Sequence, residues 1–374
     1  MDWSTAQNIL CVRLDSLGDV LMTTPALAAI KATRPDSKLT LMTSASGAAL
    51  APQLAMVDDV WVYDAPWLKA TAPRQNSQPE QAVIEELRSR QFDAAIIFTV
   101  YSQNPLPTAF MAYMADIPLR LAYCRENPYQ LLTNTIRDPE PELTRHEVQR
   151  QLDLVASVGY RTVDERLQMT VPRSAHQRVS SLLENLGLSS VKPWIVVHPG
   201  ASAPSRRYPP ELFAEVGRSL ANQGIAVVFT GTADEGELVE SIRNQMATPS
   251  HSLVGLLTLA ELSALLAAAP LLLSNNTGPV HIAAAVGTPV VDLYALTNLQ
   301  HTPWQVPHRV LFHDVPCRLC YRSICPEGHH NCLRLVEPAA VVAAVLDLLP
   351  LRTLPNKSFL GASSTLALAE VQPA

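Results

Sequence analysis

Leu271-Leu272-Leu273-Ser274-Asn275-Asn276-Thr277-Gly278-Pro279-Val280-His281-Ile282-Ala283-Ala284-Ala285-Val286 reads as an apolar strand that stops, turns through small polar residues and starts a helix. Thr277 stands at the capping position and Pro279 in the first turn, where its missing N–H leaves no bond unmade. A strand feeding directly into a helix is the unit of a parallel α/β sheet. The junction also leaves backbone N–H groups free and aligned with the helix dipole, a ready seat for a phosphate, with His281 one turn further in as an added donor. Taken alone the segment reads first as an ordinary capped helix start; its neighbours along the chain change that.

On either side the same alternation repeats. Trp194–His198, residues 226–230 and residues 290–294 have the apolar character of strands, with helical stretches between them. An earlier series contains residues 9–14, 39–43, 60–63 and 94–98 as strands and residues 79–90 as a helix with Val83, Ile84 and Leu87 on one face. Two sheets of one type are therefore expected. The helical stretch 146–158, then a polar region with Pro172 and a helix over 179–186, separate the two series and place a boundary near residue 172. Residues 70–79, rich in Pro, Gln and Asn, read as an exposed loop, and residues 351–374 as a poorly ordered tail.

A chain of 374 residues with 48% hydrophobic and 17% charged residues has the balance of a folded, water-soluble protein with room for two cores. A net charge of −6 gives no basic footprint, so nucleic acid is not an expected partner. Neither a spanning apolar run nor a signal-peptide start is evident, which places the protein in the cytoplasm. Four of its six cysteines, Cys317, Cys320, Cys325 and Cys332, crowd into one short segment, a pattern that points to metal before disulfides in a reducing compartment. Free thiols are the alternative there.

In doubly wound sheets ligands collect at the carboxyl ends of the strands, so chemistry is sought in the loops that follow them. Arg13-Leu14-Asp15-Ser16-Leu17-Gly18-Asp19 lacks the spacing of a dinucleotide loop or a P-loop, which disfavours a nicotinamide cofactor and ATP hydrolysis. Its offer is Asp19, a carboxylate able to take a proton from a substrate hydroxyl, although Asp19 or Asp15 serves equally as a helix cap. Ser16 and Gly18 shape that loop. In the second series, His198-Pro199-Gly200-Ala201-Ser202 leads to Arg206-Arg207, whose guanidinium forks suit a diphosphate. Glu235, after Thr230-Gly231-Thr232, is placed for a ribose or base hydrogen bond.

Together the segments 13–20, 24–27, 146–148, 198–200, 206–209 and 276–281 resemble the bacterial glycosyltransferase family 9, the ADP-heptose:lipopolysaccharide heptosyltransferases, over residues 9–348. That resemblance implies an α/β fold of the GT-B type, with two facing Rossmann-like domains and a cleft between them. Residues 1–172 would form the acceptor domain and 173–350 the nucleotide-sugar donor domain, with the four-cysteine segment at 317–332. It implies Asp19 as general base in an inverting transfer, and Ser202, Arg206, Glu235, Asn276, Thr277, Gly278 and His281 as donor-binding groups, with Ser16 and Gly18 in the phosphate or acceptor loop. Where the family often has lysine, Arg206 keeps the charge; where it usually has aspartate before Thr-Gly, this chain has Asn276.

The implied reaction moves a sugar, heptose from ADP-heptose first of all, onto a lipopolysaccharide core or related cell-surface glycan. No cofactor is required, since the helix terminus and arginine can neutralise the leaving charge. Zinc or iron at the four cysteines would be structural. A glycolipid acceptor would draw the protein to the inner face of the inner membrane. A nucleotide-sugar epimerase or hydrolase on the same scaffold, or a non-catalytic nucleotide-sugar binding protein, are the competing readings.

Overall fold

The computed structural model describes residues 2–349 apart from 69–70, 141–142, 189–192 and 296; the tail expected to be poorly ordered lies outside the described residues. Two six-stranded sheets are formed, every strand parallel to its neighbours. The first contains β1 (Asn8–Arg13), β2 (Lys38–Thr43), β3 (Asp59–Val62), β4 (Ala94–Ile97), β5 (Leu119–Tyr123) and β6 (Asn134–Ile136), in the order β3-β2-β1-β4-β5-β6. The second contains β7 (Trp194–His198), β8 (Ala226–Phe229), β9 (His251–Ser252), β10 (Leu272–Asn275), β11 (Val290–Leu293) and β12 (His308–Leu311), in the order β12-β11-β10-β7-β8-β9. Counted from its own first strand, each sheet has the same order. Each therefore reverses direction once, between β1 and β4 and between β7 and β10, and a crevice opens at the carboxyl ends there.

Strand alternation sorts the core. Ile9 and Cys11 of β1 and Val196 of β7 belong to one continuous apolar cluster that also takes in Trp194, Leu272 and Val280, so the inner faces of the two halves share a core. Leu10 and Val12, by contrast, face an outer cluster with Phe92 and Met111, and Ile195 and Val197 face another with Phe213 and Val345. The helix Leu17–Thr33 is buried on nearly every side. It packs against the helices Glu147–Ala156 and Gly278–Ala285 as well as against its own sheet, which explains why its sequence is apolar all round. Pro25 lies inside it and cannot donate to the carbonyl of Leu21; the Thr24 hydroxyl takes that place, 2.7 Å from Leu21 O.

Four strands carry no clear signal in the sequence. β6, β9 and β12 are short and half-exposed at or near sheet edges. β5 contains Arg120, which reads as a surface residue yet is buried because its guanidinium donates to the carbonyls of Leu131 at 2.7 Å and Gln130 at 2.8 Å. The helix expected over 179–186 begins earlier, as Arg173–Asn185.

Candidate functional site

At the end of β1 the strand delivers a fully buried arginine, Arg13, into a ring of carboxylates. Its Nη1 donates to Glu147 Oε1 at 2.9 Å and its Nη2 to Asp19 Oδ1 at 3.2 Å, while Nε lies 2.9 Å from Asp15 Oδ2. Glu147, on the first turn of its helix, also meets Arg150 at 3.3 Å and accepts from Gln151 at 2.6 Å. Arg150 in turn donates to Asp138. Charges that would be costly in isolation are thus cross-compensated, each held by its neighbours.

Asp19 is both cap and site residue. Ser16 is the N-cap of Leu17–Thr33, and its N–H and hydroxyl donate to Asp19 Oδ2 at 3.1 and 2.6 Å, a capping box. Burial would raise the pKa of Asp19, but Arg13, helped by His301 and Ser16, holds it at about 2. Asp15 shares the same guanidinium, and there burial dominates, reinforced by the Asp19 charge, lifting it to about 6. One arginine and two carboxylates so resolve into an ionised Asp19 and a more proton-retentive Asp15.

Opposite stands the second sheet. Thr277 occupies the N-cap of Gly278–Ala285, but its side chain makes no capping bond; the expected cap is one of position only, and the hydroxyl is left free of that duty. His281 is buried with Nδ1 lacking a hydrogen-bond partner, and its ring closes over Gly18 so tightly that a Cβ there would come within 2.7 Å of Cδ2. Only glycine at 18 lets the two halves approach this closely. Burial, then the neighbouring His301, pushes His281 down to about 3, so its imidazole is neutral at pH 7. The Nε2 of His301 is likewise buried without a partner. Burial lowers the His301 pKa as well.

Structure separates the two adjacent arginines. Arg207 is exposed and donates to the Ala201 carbonyl at 2.7 Å. Arg206 lies half-buried, its Nε unpartnered, and its charge acts on His281, His301 and Asp292. The loop that carries it is fixed by Asn275, whose Nδ2 donates to Pro199 O at 2.7 Å and whose Oδ1 accepts from Tyr208 N at 3.0 Å.

The amide nitrogen of Asn276 is engaged within the protein. Its Nδ2 donates to Asp292 Oδ2 at 2.9 Å and to the His301 carbonyl at 2.8 Å, leaving its carbonyl oxygen as the remaining polar atom. A carboxyl stands on the next strand instead, at Asp292, and burial raises it to about 7, so it tends to keep its proton. Glu235 is also committed locally: it accepts from Thr232 N at 2.8 Å, lies 3.9 Å from His198 Nε2 and packs against Gly200. Ser202 is exposed at the rim.

His146 couples the halves from behind. Its Nδ1 accepts from Val148 N at 3.1 Å, its Nε2 meets Thr302 O at 2.8 Å, and its ring stacks on Trp304 at 4.4 Å. Burial lowers it to about 4, consistent with a neutral ring that donates at one nitrogen and accepts at the other. Arg13, Glu147, Arg150 and His301 were not singled out as site residues from sequence. The signal for Arg13 was a basic residue ending an apolar strand; His301 sits in a loop with no pattern to betray it.

The four cysteines are free thiols that line one small cavity with His329 and Ser205. Cys317 Sγ lies 3.6 Å from His329 Nε2, and burial together with the other three thiols raises the Cys332 pKa. Among the described residues no group of three or more such side chains is drawn close enough to hold a metal ion. Nor is any helix among them long and apolar enough to cross a membrane.

The sequence and the fold have counterparts in known proteins. The sequence profile described as glycosyltransferase family 9 (heptosyltransferase) matches residues 81–330. The lipopolysaccharide heptosyltransferase 2 of Salmonella typhimurium is 25% identical over 273 residues, covering 70% of this chain and 77% of the relative. Among solved structures, a family 9 glycosyl transferase from Veillonella parvula superposes with a TM-score of 0.76 at 23% identity, over 94% of this chain and 99% of that one. The ADP-heptose lipopolysaccharide heptosyltransferase II of E. coli does so with 0.70 at 24% identity, over 93% and 100%. The chain belongs to glycosyltransferase family 9, the heptosyltransferase family, and is a glycosyltransferase of the GT-B fold.

Proposed function

We propose that this enzyme transfers heptose from ADP-heptose, with inversion, to a hydroxyl of a lipopolysaccharide core or related cell-surface glycan. The observation that carries the donor side is the set of three buried nitrogens without partners, Arg206 Nε, His281 Nδ1 and His301 Nε2, beside the N-terminus of Gly278–Ala285. An unpaired buried guanidinium N–H is costly, and a diphosphate bound there would accept from it and from the ring nitrogens of His281 and His301 in the tautomers that carry the proton there. The sugar and the nucleotide are read from the family and from relatives named as heptosyltransferases.

In this reading the acceptor oxygen bonds to the anomeric carbon as the bond from that carbon to the β-phosphate oxygen breaks. ADP leaves with the electron pair, and the acceptor proton passes to Asp19. Arg13 keeps Asp19 ionised, the form a base requires; its low proton affinity makes the proton move late, once bonding to carbon has acidified the hydroxyl. Ser16 and Gly18 set the loop, Thr277, Gly278 and Arg206 take the phosphates, and Ser202, Glu235 and the Asn276 oxygen border the nucleotide sugar. Transfer itself needs no metal; zinc or iron at Cys317, Cys320, Cys325 and Cys332 would be structural, their thiols being the soft donors such ions favour. A lipid-linked acceptor would bring the enzyme to the inner face of the inner membrane.

A screen of nucleotide sugars with cell-envelope glycolipids, read by product mass, tests the proposal. Addition of one heptose with ADP-heptose as preferred donor is expected. Preference for a UDP or GDP donor, or donor turnover without acceptor, would overturn it.

A further inference from the structure

The loop that carries Arg206 has an unusual support. Asn275 pins its two ends, at Pro199 and Tyr208, but the middle is held from outside its own half-strand neighbourhood. Ser205, buried and one residue before Arg206, donates its N–H to Ser323 O at 3.2 Å and its hydroxyl to Arg322 O at 2.9 Å. Both carbonyls lie between Cys320 and Cys325, at the centre of the four-cysteine segment.

That segment has little apolar packing of its own: Tyr321 and Ile324 are exposed, at 48% and 71%. Its anchors are few. Tyr321 N donates to Thr297 O at 3.0 Å, His313 N donates to Cys332 O at 2.8 Å, and the cysteines converge with His329 on the cavity that Ser205 also lines. Whatever fixes Cys320 and Cys325 therefore fixes the two carbonyls, and through Ser205 the backbone from which Arg206 reaches. We propose that the four-cysteine segment is a positioning element for the donor diphosphate: the state of its thiols sets the affinity for the nucleotide sugar through Ser205 and Arg206. Ser205 is a positioning residue in this scheme, without contact to substrate. The inference rests on Arg206 binding the diphosphate.

Steady-state kinetics of the full chain with ADP-heptose test it, using Ser205→Ala, Arg206→Ala, the double variant, and wild type treated with N-ethylmaleimide. Cys11 and Cys124 are buried, so alkylation reaches the segment first. Ser205→Ala and alkylation are each expected to raise the donor KM about 5–20-fold, with kcat and the acceptor KM within about twofold, the size of one weakened charge-assisted bond. In the Arg206→Ala background, Ser205→Ala should add nothing, because both act through one guanidinium. Loss of folded protein would instead lower kcat and leave KM alone. That pattern, an unchanged donor KM, or additive effects in the double variant would overturn the inference. Should Arg206→Ala itself leave the donor KM unchanged, the assignment of Arg206 falls, and this inference with it.

Discussion

The two sheets share one strand order, yet the ends of their central strands are furnished in opposite ways. Beyond β1 the side chains are ionic and mutually engaged: Arg13 with Asp15, Asp19 and Glu147, and Glu147 with Arg150. Beyond β7, β10 and β11, nitrogens on Arg206, His281 and His301 respectively are buried with no hydrogen-bond partner. The first network is tied together by ion pairs that hold one carboxylate in a fixed state, although Gln151 Oε1 has no hydrogen-bond partner and Arg13 Nε meets Asp15 as an ion pair alone. In the proposed function the unpartnered nitrogens of the second are where the diphosphate is bound. Topology supplies two equivalent crevices, and in the proposed function local side chains assign one to the proton and the other to the phosphate.

The contrast can be broken most forcefully at its ionic end. Arg13→Met leaves three carboxylates without their common cation and should cost about 3–5 kcal/mol at pH 7, read from urea unfolding. The loss should shrink as pH falls. In the wild type Asp19 has a folded pKa of about 2, below its unfolded value, so its contribution is present above about pH 4 and disappears as pH falls toward 2. A loss that stays constant as pH falls from 4 to 2 would show that the network does not hold Asp19.

A smaller effect sharpens the other side. Asp292 has a folded value of about 7, raised by burial, so the folded chain keeps a proton that the unfolded chain releases near pH 4. Stability should therefore fall as pH rises through that window. Asp292→Asn keeps an acceptor for Asn276 and removes the titration, so its stability relative to wild type should increase by roughly 2 kcal/mol between pH 5 and pH 8. Parallel pH profiles for the two proteins would mean that Asp292 is not held protonated.

Much of this was legible in the chain because parallel strands buried on both faces announce themselves as apolar runs, and because Thr277-Gly278-Pro279 punctuates a strand-to-helix turn. Short edge strands such as β9 were not, having too few residues for a pattern. β5 was obscured by Arg120, whose burial depends on carbonyls brought to it by the loop around Leu131. In the site, Asp19 and Arg206 stood out by residue type and position. The partnerships that define them did not: Glu147 is 134 positions from Arg13, and His301 reaches Asn276 through a backbone carbonyl. Long-range pairing of charges leaves no period in a sequence.

The division between the two crevices is tested most directly by calorimetric titration of ADP into Asp19→Asn and Arg206→Ala, with transfer rates measured on the same preparations. Asp19→Asn should bind ADP within about threefold of wild type while transfer falls by about a thousandfold, the contribution of a positioned base. Arg206→Ala should weaken ADP binding about 10–100-fold, the loss of a charged hydrogen-bond donor. Equal losses of ADP binding in both variants, or full transfer by Asp19→Asn, would contradict the account.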